Sequence, residues 1–117
     1  MVAKISKDLI RGHTSAIILN ILNQGDNYGY GIYKEIIKLS ENQYELKEAT
    51  LYTAFRRLEK EDYILSYWGN ETQGGRRKYY RITEEGKKKY EQNKKDWDFA
   101  KYILDSLIKG ELYNDTE

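Results

Sequence analysis

The stretch KEATLYTAFRRLEK, residues 47–60, decides the fold. Leu51, Ala54, Phe55 and Leu58 fall at i, i+3, i+4 and i+7, the spacing of a single apolar stripe on an α-helix. At 100° per residue these four share about 100° of arc, which leaves Ala49, Thr53 and Arg56 on the opposite face and Thr50, Tyr52 and Arg57 at its flanks. Small residues at the start of such a helix permit close approach to base edges, hydroxyls can donate to phosphate, and guanidinium groups can fork onto phosphate or guanine. In isolation the same face reads more readily as solvated polar surface, so its neighbours carry the argument.

Upstream, residues 5–24 hold a dense apolar pattern at helical spacing that stops at Gly25, and predict a first helix. Asn27 can cap a second, whose stripe of Ile32, Ile36 and Leu39 runs to about Ser40. Downstream, residues 63–68 and 77–82 are rich in aromatic and β-branched side chains around the loop 69–75, and predict a hairpin with a mobile tip at Gly74 and Gly75. Thr83 is a good N-cap, and Glu84 and Glu85 suit the positive end of a helix dipole, so a last helix is expected to reach Leu107 or Ile108 before Gly110. The order is α-α-α-β-β-α, a mainly α chain with a small β-hairpin, which is the winged helix-turn-helix order. In that fold the third helix enters the major groove and the hairpin touches backbone or minor groove. The tip runs directly into Arg76, Arg77 and Lys78, cations placed where a wing that follows phosphates needs them. Strand alternation sends Arg76 and Lys78 to one face and Arg77 to the other. Cations on an edge strand also protect against aggregation, and their position after the helix trio favours the nucleic-acid reading.

The formal charge is only +1, yet residues 47–89 carry eleven basic and seven acidic residues, about +4, leaving about −3 for the rest. With no cysteine and the single histidine His13, a disulfide framework is excluded and the usual metal or haem ligand sets cannot be assembled in one chain; no metal or cofactor is expected. His13 has no nucleophile or proton-transfer partner in sight, which argues against an enzyme. Neither a signal peptide nor an apolar span of membrane length is present, so a cytoplasmic location is expected.

The motifs Glu48-Ala49-Thr50-Leu51-Tyr52 with Arg57-Leu58-Glu59, Gly74-Gly75-Arg76-Arg77-Lys78-Tyr79-Tyr80 and Thr83-Glu84-Glu85-Gly86 resemble the PadR family of bacterial transcriptional regulators. The likeness covers nearly the whole chain, including Gly25-Asp26-Asn27-Tyr28 and Tyr30-Gly31. The short C-terminal region resembles the compact branch of that family, with a likeness to a lactococcal repressor of a multidrug transporter. The resemblance implies a homodimer that binds double-stranded DNA and represses until a ligand binds. The expected DNA contacts are Tyr30, Lys34, Ala49, Thr50, Tyr52, Thr53, Arg56, Arg57, Gly75, Arg76, Arg77 and Lys78. The rival is a winged-helix module that binds protein, to which the same stripe would be sufficient.

Residues 1–83 thus form the winged domain, 84–110 a dimerisation helix and 111–117 a frayed tail. The last helix would be about 39 Å long, more than a core of three short helices needs. Its second half holds Trp97, Ala100, Ile103, Leu104, Leu107 and Ile108, and the first helix, with Ile17, is apolar around much of its circumference. A second copy is the simplest cover, and two-fold symmetry would set two reading helices about 34 Å apart on a pseudo-palindromic site. The resemblance implies planar aromatic ligands held at that interface between two copies of Trp97. Leu9, Gly12, Ala16 and Asn20, on one stripe of the first helix, and Ala100 would add walls. Trp97 packing the interface without a ligand is the alternative. Residues 94–101 depart from the resembled pattern except at Trp97: Phe99 or Tyr102 could fill the space, and an inward Lys101 would disfavour cationic ligands.

Overall fold

The computed structural model describes residues 5–71 and 75–110. It contains five helices and three strands among those residues: α1 (Lys7–Ile10), α2 (Thr14–Gln24), β1 (Asn27–Tyr28), α3 (Gly29–Leu39), α4 (Glu48–Lys60), β2 (Ile64–Trp68), β3 (Lys78–Ile82) and α5 (Glu84–Lys109). The expected tail, residues 111–117, and the tip residue Gly74 lie outside the described residues.

The first expected helix is two. Gly12 takes φ +91°, a backbone state that side chains with a Cβ disfavour, and it separates the short α1, capped by the Ser6 hydroxyl, from α2. Apolar periodicity continues across the break, which is why the pattern alone read as one helix. The break lets the chain turn, so that Ile5 donates its N–H to the Gln43 carbonyl at 3.0 Å. Asn27 also departs from expectation. Its Oδ1 accepts from the adjacent Tyr28 N–H at 2.9 Å, and its backbone forms β1, while α3 starts at Gly29.

The sheet is antiparallel in the order β1-β3-β2, with Asn27 opposite Tyr80 and Ile64 opposite Ile82. The hairpin was legible; the third strand, two residues long, was not. Its pairing is reinforced by Asp26, whose Oδ2 accepts from Tyr67 at 2.5 Å and from Arg81 Nε at 3.0 Å, tying the turn before β1 to both long strands. Burial alone would raise the Asp26 carboxyl, but the hydrogen bonds from Arg81 and Tyr67 and the Arg81 charge outweigh it and hold the group below its ordinary 3.8.

The core gathers Ile18, Leu19 and Leu22 of α2, Ile32 of α3, and Leu51, Phe55 and Leu58 of α4, with Tyr80 of β3 tilted against Phe55 at 4.3 Å between ring centroids. Burial pushes the Tyr80 hydroxyl up to about 12, with the Glu59 charge adding to it. The stripe of α4 is therefore the face that closes the core, and this fixes which face it offers to solvent. At its end Asp62 takes φ +64° and Tyr63 N–H returns to the Leu58 carbonyl, so the chain leaves directly into β2. Thr83 caps α5 through its Oγ1, which accepts from Gly86 N–H at 2.9 Å. Along α5 only Gly86 is fully buried, and ion pairs such as Lys87–Glu84 and Lys88–Glu85 line its solvated face.

Candidate nucleic-acid interface and apolar cavity

On α4, Ala49, Thr50, Tyr52, Thr53 and Arg56 are all exposed. Thr53 Oγ1 donates to the Ala49 carbonyl at 2.9 Å, and Arg56 donates to Thr53 Oγ1 at 3.2 Å, so the guanidinium is laid along the outer face of the helix. Tyr52 stands edge-on to Phe55 at 5.3 Å and turns its ring toward the start of α3. There it forms one wall of a cleft of about 430 Å³, together with Tyr28, Tyr30, Lys34, Arg77 and Lys78. Helix α4, the N-terminal turn of α3 and the wing thus converge on one cationic, hydroxyl-rich concavity. Each of its cations rests on an aromatic face: Lys34 over Tyr30 at 4.9 Å, Arg77 over Tyr28 at 4.6 Å and Lys78 over Tyr80 at 5.9 Å, while Arg76, outside the cleft, lies 6.0 Å from the Trp68 ring centroid. These contacts orient the charges without neutralising them. Gly75, at φ +82°, is exposed just before them.

Sequence reasoning missed two parts of this surface. Tyr28 was read only as part of the motif Gly25-Asp26-Asn27-Tyr28, although it carries the ring on which Arg77 lies. Glu71 was read as a loop residue, but its Oε2 accepts from the Tyr79 hydroxyl at 2.6 Å and its Oε1 from the Arg77 N–H at 3.4 Å. These hydrogen bonds, that of Tyr79 foremost, hold the Glu71 carboxyl below the usual range and clasp the base of the wing. No spacing rule signals either contact, because each joins residues brought side by side only by the three-stranded sheet.

Arg57 lies elsewhere. It donates to Ser15 Oγ at 2.7 Å, reaching across to the first turn of α2 rather than joining Arg56. There it lines a second and larger cavity, about 1080 Å³, bounded by α1, α2, the end of α3 and α5. The cavity brings together Leu9, Gly12, Ala16, Asn20, Trp97 and Ala100. His13 stands edge-on to Trp97 at 4.9 Å, and the Tyr90 hydroxyl donates to Asn20 Oδ1 at 2.9 Å. Phe99 and Tyr102 are not among the lining residues, whereas Lys101 lies 5.7 Å from the Trp97 ring centroid and pairs with Asp98. Ile17 is half-buried at the cavity wall, while Ile103, Leu104, Leu107 and Ile108 lie exposed beyond it on the last turns of α5, with Leu107 74% and Ile108 76% accessible.

No group of three His, Asp or Glu side chains among the described residues could hold a metal ion. No helix among them is long and apolar enough to cross a membrane.

A helix trio closed by a three-stranded sheet, with a long helix following the hairpin, defines a winged helix-turn-helix protein. The chain belongs to the PadR-like family of transcriptional regulators, whose profile matches residues 18–92. A transcriptional regulator from Clostridium thermocellum is 50% identical, with 87% of this chain and 96% of that one covered at a TM-score of 0.81. A PadR family regulator from Clostridium difficile is 41% identical over 83% and 99% of the two chains, at a TM-score of 0.73. An uncharacterized protein of Lysinibacillus sphaericus is 44% identical, covering 91% of this chain and 97% of its own length. The fold is also that of Bacillus subtilis PadR in complex with operator DNA, at 22% identity and a TM-score of 0.61 over 67% of this chain and 44% of that one.

Proposed function

We propose that this chain is a DNA-binding repressor that acts as a homodimer on a pseudo-palindromic operator and releases it when a planar ligand occupies the cavity at Trp97. Ala49, Thr50, Tyr52, Thr53 and Arg56 read base edges, and Tyr30, Lys34, Gly75, Arg76, Arg77 and Lys78 hold phosphates. The observation that carries this reading is the convergence of α4, the start of α3 and the wing on one cleft whose cations have aromatic supports. A surface for a protein partner would not need cations from both α3 and the wing facing one concavity beside α4. The exposed Ile103, Leu104, Leu107 and Ile108 support a second copy as cover for the end of α5. The aromatic lining of the large cavity supports a planar occupant, and the sequence resemblance supports a multidrug transporter gene as the target.

The test is recovery of genomic fragments on the immobilised protein at low salt, followed by affinity measurement between about 50 and 200 mM salt with and without a panel of planar compounds. Counterion release requires a steep loss of affinity across that range. Failure to retain any fragment at low salt would establish the protein-binding alternative instead. Light scattering checks the dimer: a stable monomer at micromolar concentration would contradict it.

A further inference from the structure

Two adjacent arginines of α4 do different things. Arg56 lies along the exposed face on Thr53, whereas Arg57 crosses to Ser15, forty-two positions earlier in the chain, and contributes its guanidinium to the wall of the large cavity. Ser15 belongs to the first turn of α2, next to Thr14 and His13, and His13 meets the Trp97 ring at 4.9 Å. Trp97 on α5 thus touches His13, and Arg57 on the reading helix touches Ser15, two residues further along the same chain segment at the start of α2. Glu61, one turn after Arg57, also lines the cavity and makes no ion pair among the described residues. Positions four apart on a helix are neighbours, so the Arg57 guanidinium has two discrete partners within reach, the Ser15 hydroxyl on α2 and the Glu61 carboxylate on its own helix. An arginine that precedes its acid by four is the weaker orientation of such a pair, which leaves the balance easily tipped.

We propose that Arg57 is the positioning residue through which occupation of the large cavity acts on α4. In one arrangement, the one seen in the structure, the guanidinium bonds Ser15 and fixes α4 to α2. A ligand seated against Trp97 and His13 that takes over the Ser15 hydroxyl transfers the guanidinium to Glu61, and α4 loses that tie. This rests on the ligand-responsive, DNA-binding reading above. It adds the element that both sites bias, which a claim of coupling requires.

The experiment measures coupling rather than either binding event alone. The probe is 1-anilinonaphthalene-8-sulfonate, an apolar aromatic anion whose emission rises in apolar cavities and which does not intercalate into DNA. The DNA is the tightest genomic fragment recovered by the full-length protein. Fragment affinity is determined with and without saturating probe for the wild type, Ser15→Ala, Glu61→Gln, Arg57→Lys and Arg57→Met. In the wild type the probe weakens fragment affinity at least about fivefold, the lower end of ordinary allosteric coupling. With each variant measured at a probe concentration that saturates it, the effect on fragment affinity falls below about twofold in Arg57→Met and Ser15→Ala; Glu61→Gln reduces it, and Arg57→Lys retains part of it. A merely structural role for Arg57 would lower the melting temperature or both affinities and leave the ratio unchanged, and an unchanged ratio in Arg57→Met or Ser15→Ala overturns the proposal. Ser15→Ala removes a single hydroxyl, so it keeps the test open should Arg57→Met not fold. If the wild type takes up no probe, the ligand-responsive reading fails and this inference with it. If the wild type takes up probe and loses affinity but the variants do so equally, only the role of Arg57 falls.

Discussion

Replacing Gly86 by alanine sets two effects of opposite sign against each other. Gly86 sits in the first turn of α5, directly after the Thr83 cap, where alanine is ordinarily the better helix former by about 1 kcal/mol. A Cβ at this position would lie 2.7 Å from Ile82 Cγ1 and 3.0 Å from the Tyr63 carbonyl carbon, with the carbonyl oxygen closer still. The Ile82 side chain can rotate. The Tyr63 carbonyl cannot, because it accepts the Thr83 N–H at 3.0 Å and holds the base of the hairpin. Overpacking against a fixed backbone costs about 3 kcal/mol, so the net loss is about 2 kcal/mol. For a chain of this size about 4 °C of melting temperature accompanies each kcal/mol, which places Gly86→Ala about 8 °C below the wild type in a thermal melt followed by circular dichroism at 222 nm. Glu85→Ala, one residue earlier and exposed, serves as the comparison and should stay close to the wild type. A Gly86→Ala protein that melts at or above the wild-type temperature would show that α5 is not seated on the Tyr63 carbonyl, and the account of how the winged domain meets the long helix would fall.

Arg77→Ala should lower the slope of log affinity against log salt by about one per subunit and weaken all sequences to a similar degree; an altered sequence preference with an unchanged slope would move Arg77 from holding phosphate to reading bases. Asp26→Asn should destabilise the chain at neutral pH. Because the folded-state pKa of Asp26 lies below 3.8, the wild-type advantage is present above that value and is lost as pH falls through the depressed pKa, so urea midpoints of the two proteins should converge as the solution is acidified below the ordinary carboxylate range. A gap of constant size from neutral to acid pH would remove the Arg81 and Tyr67 contacts from the explanation. Leu107→Lys, at an exposed apolar position on α5, should shift the light-scattering mass toward one chain and leave the circular dichroism spectrum unchanged; an unshifted mass would place the interface elsewhere.

Helix α4 was readable because its information is local. Leu51, Ala54, Phe55 and Leu58 repeat with the period of the helix, and all four are buried, which places Ala49, Thr53 and Arg56 outward without reference to any other part of the chain. The hairpin and the Thr83 cap were local in the same sense. The break at Gly12 was not, since a glycine inside an apolar pattern is compatible with a continuous helix until a distant contact, here Ile5 with Gln43, requires the turn. Strand β1 is too short to carry a period and exists only through its pairing with Tyr79 and Tyr80.

The sequence by itself determined the order of elements, the outward face of the reading helix and the cluster of cations that follows the hairpin tip, because periodicity, capping and turn chemistry act over a few residues. Only the tertiary structure decided which cations share a concavity, that Arg57 leaves the outer face for Ser15, and that Trp97 meets His13 across a cavity. A residue on the flank of a helix has two neighbouring faces within reach of a long side chain. Which of them it joins depends on what the rest of the chain has placed there.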